Sequence, residues 1–213
     1  MSSAIRQYEP SEPLERRNGE ARHCALMRVA KLVGLAGEYL CIVQDVSANG
    51  LKVRLFHAFP PETHLFLELA NGMQFAVERR WMDGPVAGFR FAAPIDVGEF
   101  IREPSLWSKR PVRLRMHGPG ELIAGGERSH VMLVDLSRQG ACVEAGSQFA
   151  VGRVVRLAIH GIPPRVGHIC WRRGYAHGVV FQEAFTPQEL ACFALELQPF
   201  ADDGDLGNQA LCA

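Results

Sequence analysis

Leu51-Lys52-Val53-Arg54-Leu55 alternates apolar and polar side chains, the period-two pattern of a strand with one buried face. His64-Leu65-Phe66-Leu67-Glu68-Leu69 and Phe75-Ala76-Val77-Glu78-Arg79-Arg80-Trp81 continue in that style, with Asn71-Gly72 between them as a hairpin turn. Met82-Asp83-Gly84-Pro85 then separates Trp81 from a further strand over 86–91. From Cys24 onward the chain reads as short strands between turn residues, including an apolar run at 40–43. The second half predicts strands over 131–134, 141–144, 154–159, 166–171 and 176–181. Each half closes on a helix signal. Thr186-Pro187-Gln188-Glu189 is a capping box with proline at the first helical position, and Leu190, Phe193, Ala194 and Leu197 follow at helical spacing. Asp96-Val97-Gly98-Glu99 holds the matching place ahead of Phe100 and Ile101.

The halves are copies. Shifted by ninety residues, Asp45-Val46-Ser47-Ala48-Asn49-Gly50 meets Asp135-Leu136-Ser137-Arg138-Gln139-Gly140. Trp81 then meets Trp171, Gly84 meets Gly174, Gly88 meets Gly178 and Phe91 meets Phe181, without a gap. The period is too long for a solenoid repeat and suits two small domains in tandem. Strands every 10–12 residues predict a small antiparallel barrel or sandwich in each copy, with a short helix packed against it. We place the domains at 14–103 and 106–198, with flexible tails at 1–13 and 199–213.

The 23 basic and 23 acidic side chains cancel, which weighs against general DNA or RNA binding but leaves room for a local anion site. No stretch resembles a signal peptide or reaches the ~20 apolar residues that span a bilayer, so the expected location is cytoplasmic, without membrane insertion. Six cysteines lack a Cys-x-x-Cys pair and read as reduced, packed thiols. Eight histidines show no metal-ligand spacing, and no nucleophile elbow or phosphate loop points to an enzyme or a cofactor. Trp81 and Trp171, each ahead of a turn, read as core anchors.

Chemistry concentrates at the repeated Asp-x-Ser-x-x-Gly. Asp45 and Ser47 stand two apart at the end of an apolar strand, so their side chains face one way, and Gly50 permits a tight turn or a close approach. Read alone, this is a turn in which Asp and Ser bond nearby backbone N–H groups. Ahead of it runs Glu15-Arg16-Arg17-Asn18-Gly19-Glu20-Ala21-Arg22-His23. Read alone, that segment is a solvated surface. Together, guanidinium forks that grip phosphates and guanine edges, and a carboxylate that accepts from guanine N–H groups, form a clamp for a guanine nucleotide.

The combination resembles the PilZ domain, a small β-barrel receptor for cyclic di-GMP, whose pattern is an Arg-x-x-x-Arg loop followed by Asp/Asn-x-Ser-x-x-Gly on the barrel. The resemblance implies two barrels, each with a C-terminal helix, and a non-enzymatic receptor acting on motility, exopolysaccharide synthesis or a similar output through a protein partner. It implies that Asp45, Ser47 and Gly50 seat a guanine and its ribose-phosphate edge, while Arg16, Arg17 and Arg22 wrap the phosphates. The arginine spacing departs from the pattern: Arg17 and Arg22 are five apart, and Glu20 follows Arg16 at +4. In the second copy Trp107 stands opposite Arg17 and Val112 opposite Arg22, with Lys109 and Arg113 in a Lys-x-x-x-Arg. That copy is expected to be degenerate, serving packing, dimerisation or target contact. The competing readings are a barrel scaffold that has lost the nucleotide and a flavin enzyme on a split barrel. A homodimer and an internal pseudo-dimer both fit.

Overall fold

The computed structural model describes residues 23–56, 60–104 and 110–198. The first half forms β1 (His23–Val33), β2 (Glu38–Val46), β3 (Gly50–Leu55), β4 (His64–Glu68), β5 (Gln74–Asp83), β6 (Val86–Phe91) and α1 (Val97–Arg102). The second forms β7 (Arg113–Ala124), β8 (Glu127–Ser137), β9 (Gly140–Ala145), β10 (Val154–Ile159), β11 (Arg165–Arg173), β12 (Ala176–Phe181) and α2 (Pro187–Leu197). Each set of strands closes into an antiparallel barrel of the same order, β1-β2-β3-β6-β5-β4 and its equivalent β7-β8-β9-β12-β11-β10. Closure pairs every strand on both sides and leaves no sheet edge to protect.

The alternation in β3 does what it predicts: Leu51, Val53 and Leu55 are buried while Lys52 and Arg54 are exposed. A helix packs its apolar face into each barrel. Phe100 of α1 is fully buried with its ring against Phe75 and Phe91 at centroid distances of 5.3 and 6.3 Å. Phe185, ahead of α2, is buried between Phe181 and Phe193 in the same manner. The C-terminal carbonyls of α1 are met by Arg28, which donates to Phe100 O at 2.6 Å and Ile101 O at 2.5 Å.

The structure corrects four readings. The strand β7 was missed because Gly118-Pro119-Gly120 interrupts its pattern; closure still incorporates the segment, pairing it with both β8 and β10. Met82 and Asp83 belong to β5, so the turn is only Gly84-Pro85. Trp81 and Trp171 are not core anchors, being 49% and 40% exposed. Each ring lies over its cross-strand glycine on the outer wall, where a Cβ on Gly88 would collide with Nε1 of Trp81 and one on Gly178 with Nε1 of Trp171. The in-register Trp and Gly are thus one packing device, an aromatic covering bare backbone. Finally, Cys41 and Cys142 are buried thiols as expected, but Cys192 is disulfide-bonded.

The barrels meet along the outer face of β1 and β2. Leu40, with Val29, Phe56 and Ala70 beside it, packs into the core cluster of the second barrel. Glu38, almost fully buried, sits at the centre: its carboxylate takes Arg115 N at 2.8 Å, Arg115 Nε at 2.7 Å and Lys31 Nζ at 3.2 Å. Lys31 also reaches Glu68 at 3.2 Å and the Arg113 carbonyl at 3.1 Å. Gln198, after α2, bonds both the N–H and the C=O of Glu38. A buried carboxylate this fully partnered fixes how the two barrels sit.

Candidate ligand site on the first barrel

Asp45 lies near the end of β2, opposite Cys24 of β1 and Lys52 of β3, just past a bulge that starts at Val43. The bulge breaks the simple alternation on which a shared face for Asp45 and Ser47 rested. Ser47 lies beyond β2, in the turn. Its hydroxyl is 3.2 Å from both Gly50 N and Gly50 O, and its N–H donates to Gly50 O at 2.8 Å. Gly50 is required by its own fold: a Cβ there would come within 2.6 Å of the Phe89 carbonyl of β6. Ser47 and Gly50 therefore shape the turn that holds Asp45. Arg16, Arg17 and Arg22 lie outside the described residues.

Asp45 differs from its turn. Its Oδ1 is buried and finds no hydrogen-bond partner among the described residues. Buried carboxylate oxygens are ordinarily satisfied, and an unmet one costs about 1–3 kcal/mol or more. Around it on the outer wall stand Lys52, Arg54 and Arg90, all exposed and none in an ion pair among the described residues. Lys52 is the direct cross-strand partner of Asp45, and Arg90 that of Gly50. Sequence reasoning missed these cations. Their signal was available, since they occupy the polar positions of alternating strands beside the motif.

The equivalent place on the second barrel is closed. Asp135 is held by Arg113 at 2.5 Å, Ser137 donates to Gly140 O at 3.0 Å, and Arg138 Nε donates to Phe185 O at 2.8 Å. Lys52, Arg54 and Arg90 are replaced by Cys142, Glu144 and Val180. Burial, and then the neighbouring Asp135 carboxylate, push the Cys142 thiol up to about 11, so it stays protonated at neutral pH.

The barrels also revise the alignment of the arginine arms. Cys24 faces Asp45 as Arg115 faces Asp135, an offset of 91, whereas Arg28 faces Val43 as Gly118 faces Leu133, an offset of 90. The bulge in β1, where Met27 takes a φ of +41°, carries one residue more than its counterpart. Along the sequence Arg22 precedes Cys24 by two, as Arg113 precedes Arg115 by two. Arg22 thus corresponds to Arg113, not to Val112. Among the described residues no cluster could hold a metal ion, and no helix is long and apolar enough to cross a membrane.

No curated protein matches the sequence. Solved structures with similar folds include the PlzA protein of Borreliella burgdorferi in complex with c-di-GMP, at 11% identity and a TM-score of 0.34, covering 84% of this chain and 94% of that one. The Bacillus subtilis Inhibitor of motility (MotI/DgrA) gives 13% and 0.34 over 79% and 93%, and K. pneumonia MrkH gives 10% and 0.32 over 80% and 85%. Likeness at that level decides nothing about this chain. The family model for the PilZ domain matches residues 108–194. The second barrel is accordingly a PilZ domain, and the chain that carries it repeats the same barrel topology ahead of it.

Proposed function

We propose that this protein is a cytoplasmic, non-enzymatic receptor for cyclic di-GMP, and that the ligand binds on the first barrel. The observation that carries this reading is the Oδ1 of Asp45, unpartnered among the described residues, beside three cations in no ion pair there. A carboxylate oxygen without a donor is suited to the N–H edge of a guanine. Lys52, Arg54 and Arg90 supply charge for the phosphates, with Arg54 and Arg90 offering planar forks. Arg22 is the residue best placed by count to approach Asp45, since its counterpart Arg113 does so in the second barrel. Arg16 and Arg17, further out on the same arm, add phosphate contacts, while Ser47 and Gly50 keep the turn rigid. Closing the arm over the ligand changes the surface offered to a protein partner, an order-type switch. Motility or exopolysaccharide synthesis are outputs such a switch serves. The second barrel, its aspartate already occupied, acts as scaffold.

Isothermal calorimetry tests this directly. Saturable binding of cyclic di-GMP is expected, at least about tenfold weaker in Asp45→Ala and in Arg22→Ala, the loss of roughly 1.4 kcal/mol or more. Asp135→Ala is expected to bind as the parent does. Absence of any binding up to about 0.5 mM ligand, or loss in Asp135→Ala alone, would remove the proposal.

A further inference from the structure

From Ala145 to Gln182 the chain contains no aspartate or glutamate, while Arg153, Arg156, Arg165, Arg172 and Arg173 all fall within the span. Glu144 and Glu183 bound it. The matching stretch of the first copy, 55–92, sets Glu62, Glu68, Glu78 and Asp83 against Arg79, Arg80 and Arg90. A chain of zero net charge thus gathers unbalanced positive charge on one part of one barrel.

That part holds β10, β11 and β12, three adjacent strands. Their inward side chains, among them Val155, Leu157, Ile169 and Val179, are buried in the barrel. Many of the outward ones are apolar as well. Val154 is 61% exposed, and with His168 and Val180 it forms one row of Cα partners. Val166, the partner of Arg156, is exposed two residues before His168 on β11. Val151, in the turn ahead of β10, is 62% exposed, and Trp171 and Tyr175 continue the face toward the β11–β12 tip. A strand with one solvated face ordinarily turns polar residues to it, and four exposed valines depart from that rule. On the first barrel Val154, His168, Arg173 and Val180 are matched by His64, Glu78, Asp83 and Arg90. Arg156, Arg172 and Arg173 are exposed along the face and in no ion pair among the described residues, whereas Arg153 and Arg165 are held by Glu127 and Glu189.

We propose that the β10–β11–β12 wall of the second barrel is a docking face for an anionic membrane surface. Exposed valines give a nucleic-acid backbone or an acidic peptide little to bind, and closure of the barrel leaves no strand edge for a peptide to extend. A bilayer surface suits every part of the face: acyl chains meet the valines, the headgroup level suits Trp171 and Tyr175, and anionic phospholipids meet the arginines. The contact is peripheral, with the barrel lying against the headgroups. It does not rest on the nucleotide reading.

Vesicle flotation of the full chain tests this, with vesicles of phosphatidylcholine alone or mixed with an equal part of phosphatidylglycerol. At about 0.1 M salt, partition onto the mixed vesicles is expected to exceed that onto the neutral ones at least about tenfold. Arg172→Glu with Arg173→Glu removes that excess. Val154→Ser with Val180→Ser lowers partition onto the mixed vesicles by about three- to tenfold without altering charge. Arg80→Glu with Arg102→Glu imposes the same change of net charge on the first barrel and leaves partition within about twofold of the parent. Unchanged thermal unfolding of each variant ties the readout to contact rather than folding. Equal partition onto both kinds of vesicle, no loss in either second-barrel variant, or an equal loss in the first-barrel variant would overturn the proposal. So would tighter binding to oligothymidylate or to polyglutamate than to the mixed vesicles, which would assign the face to a nucleic acid or to an acidic protein.

Discussion

In the first barrel the aspartate before the β2–β3 turn keeps an oxygen without a partner among the described residues, beside three cations in no ion pair there. In the second the same aspartate is closed by Arg113, and the cations have become a thiol, a carboxylate and a valine. The turn below is nearly unchanged, with the serine hydroxyl on the glycine carbonyl in both. What the copies share is therefore the device that folds, and what they differ in is the chemistry exposed above it. A second position makes the same point. Lys31 and Glu38 form a diagonal pair across β1 and β2, and Glu121 and Arg128 occupy the matching places across β7 and β8 with the charges reversed. The first pair is buried between the barrels, and the second lies open, with the Arg128 side chain 69% exposed.

The largest expected effect exploits that contrast. Glu38→Ala takes the carboxylate away from the Arg115 N–H groups and leaves Lys31 with Glu68 and the Arg113 carbonyl. Breaking a buried pair from one side typically costs about 3–5 kcal/mol, and the surviving Glu68 contact places this one near 3. Arg128→Ala, at the equivalent exposed pair, is expected to cost under about 1 kcal/mol. Urea unfolding of both variants measures the difference. Equal costs would mean that burial between the barrels does not set the worth of the pair.

A smaller effect should follow from giving the first barrel the wall of the second. Lys52→Cys with Arg90→Val is expected to weaken cyclic di-GMP binding by about 10- to 100-fold, because two charge-assisted hydrogen bonds to the ligand are removed. Stability should move by less than about 0.5 kcal/mol, since both side chains are exposed and in no ion pair among the described residues. Calorimetry and thermal unfolding on one preparation separate these outcomes. A variant that binds normally would show that the cations beside Asp45 are only solvated surface.

Much of this was legible because it obeys short-range rules. Alternation in 51–55, the Asn71-Gly72 turn, and the caps at Asp96 and Thr186 each depend on neighbours in sequence. The repeat itself showed that whatever formed once formed twice. The strand β7 was not legible, because Gly118-Pro119-Gly120 hides its period and only closure of the barrel recovers it. Trp81 and Trp171 misled for a related reason. Their partner is the missing side chain of a glycine on the next strand, which a pattern of apolar residues does not register. Nor could the Arg113–Asp135 pair be read, since the two meet across 22 positions only after a bulge sets the register.

The two terminal helices offer the finest comparison. On α1, Asp96 accepts the Glu99 N–H at 2.9 Å, and Arg28 holds the far end. On α2 the cap is reciprocal: Thr186 Oγ1 takes the Glu189 N–H at 3.2 Å, while the Glu189 carboxylate takes Thr186 N and Oγ1 at 2.7 and 2.8 Å. Those bonds from Thr186, backbone first, with Arg165 adding a little, hold the Glu189 carboxyl below its ordinary value of 4.5. A carboxylate depressed by folding stabilises above its unfolded pKa, and the gain fades as pH falls below about 4.5 and through the folded value. Thr186→Ala is thus expected to cost about 1 kcal/mol at pH 7, the usual worth of a lost cap. The cost should hold flat to about pH 5 and then shrink, because the protonated Glu189 has less to lose. Thermal unfolding of parent and variant between pH 7 and pH 3.5 measures it; a difference that grew on acidification would show that Thr186 acts through something other than the bond to Glu189.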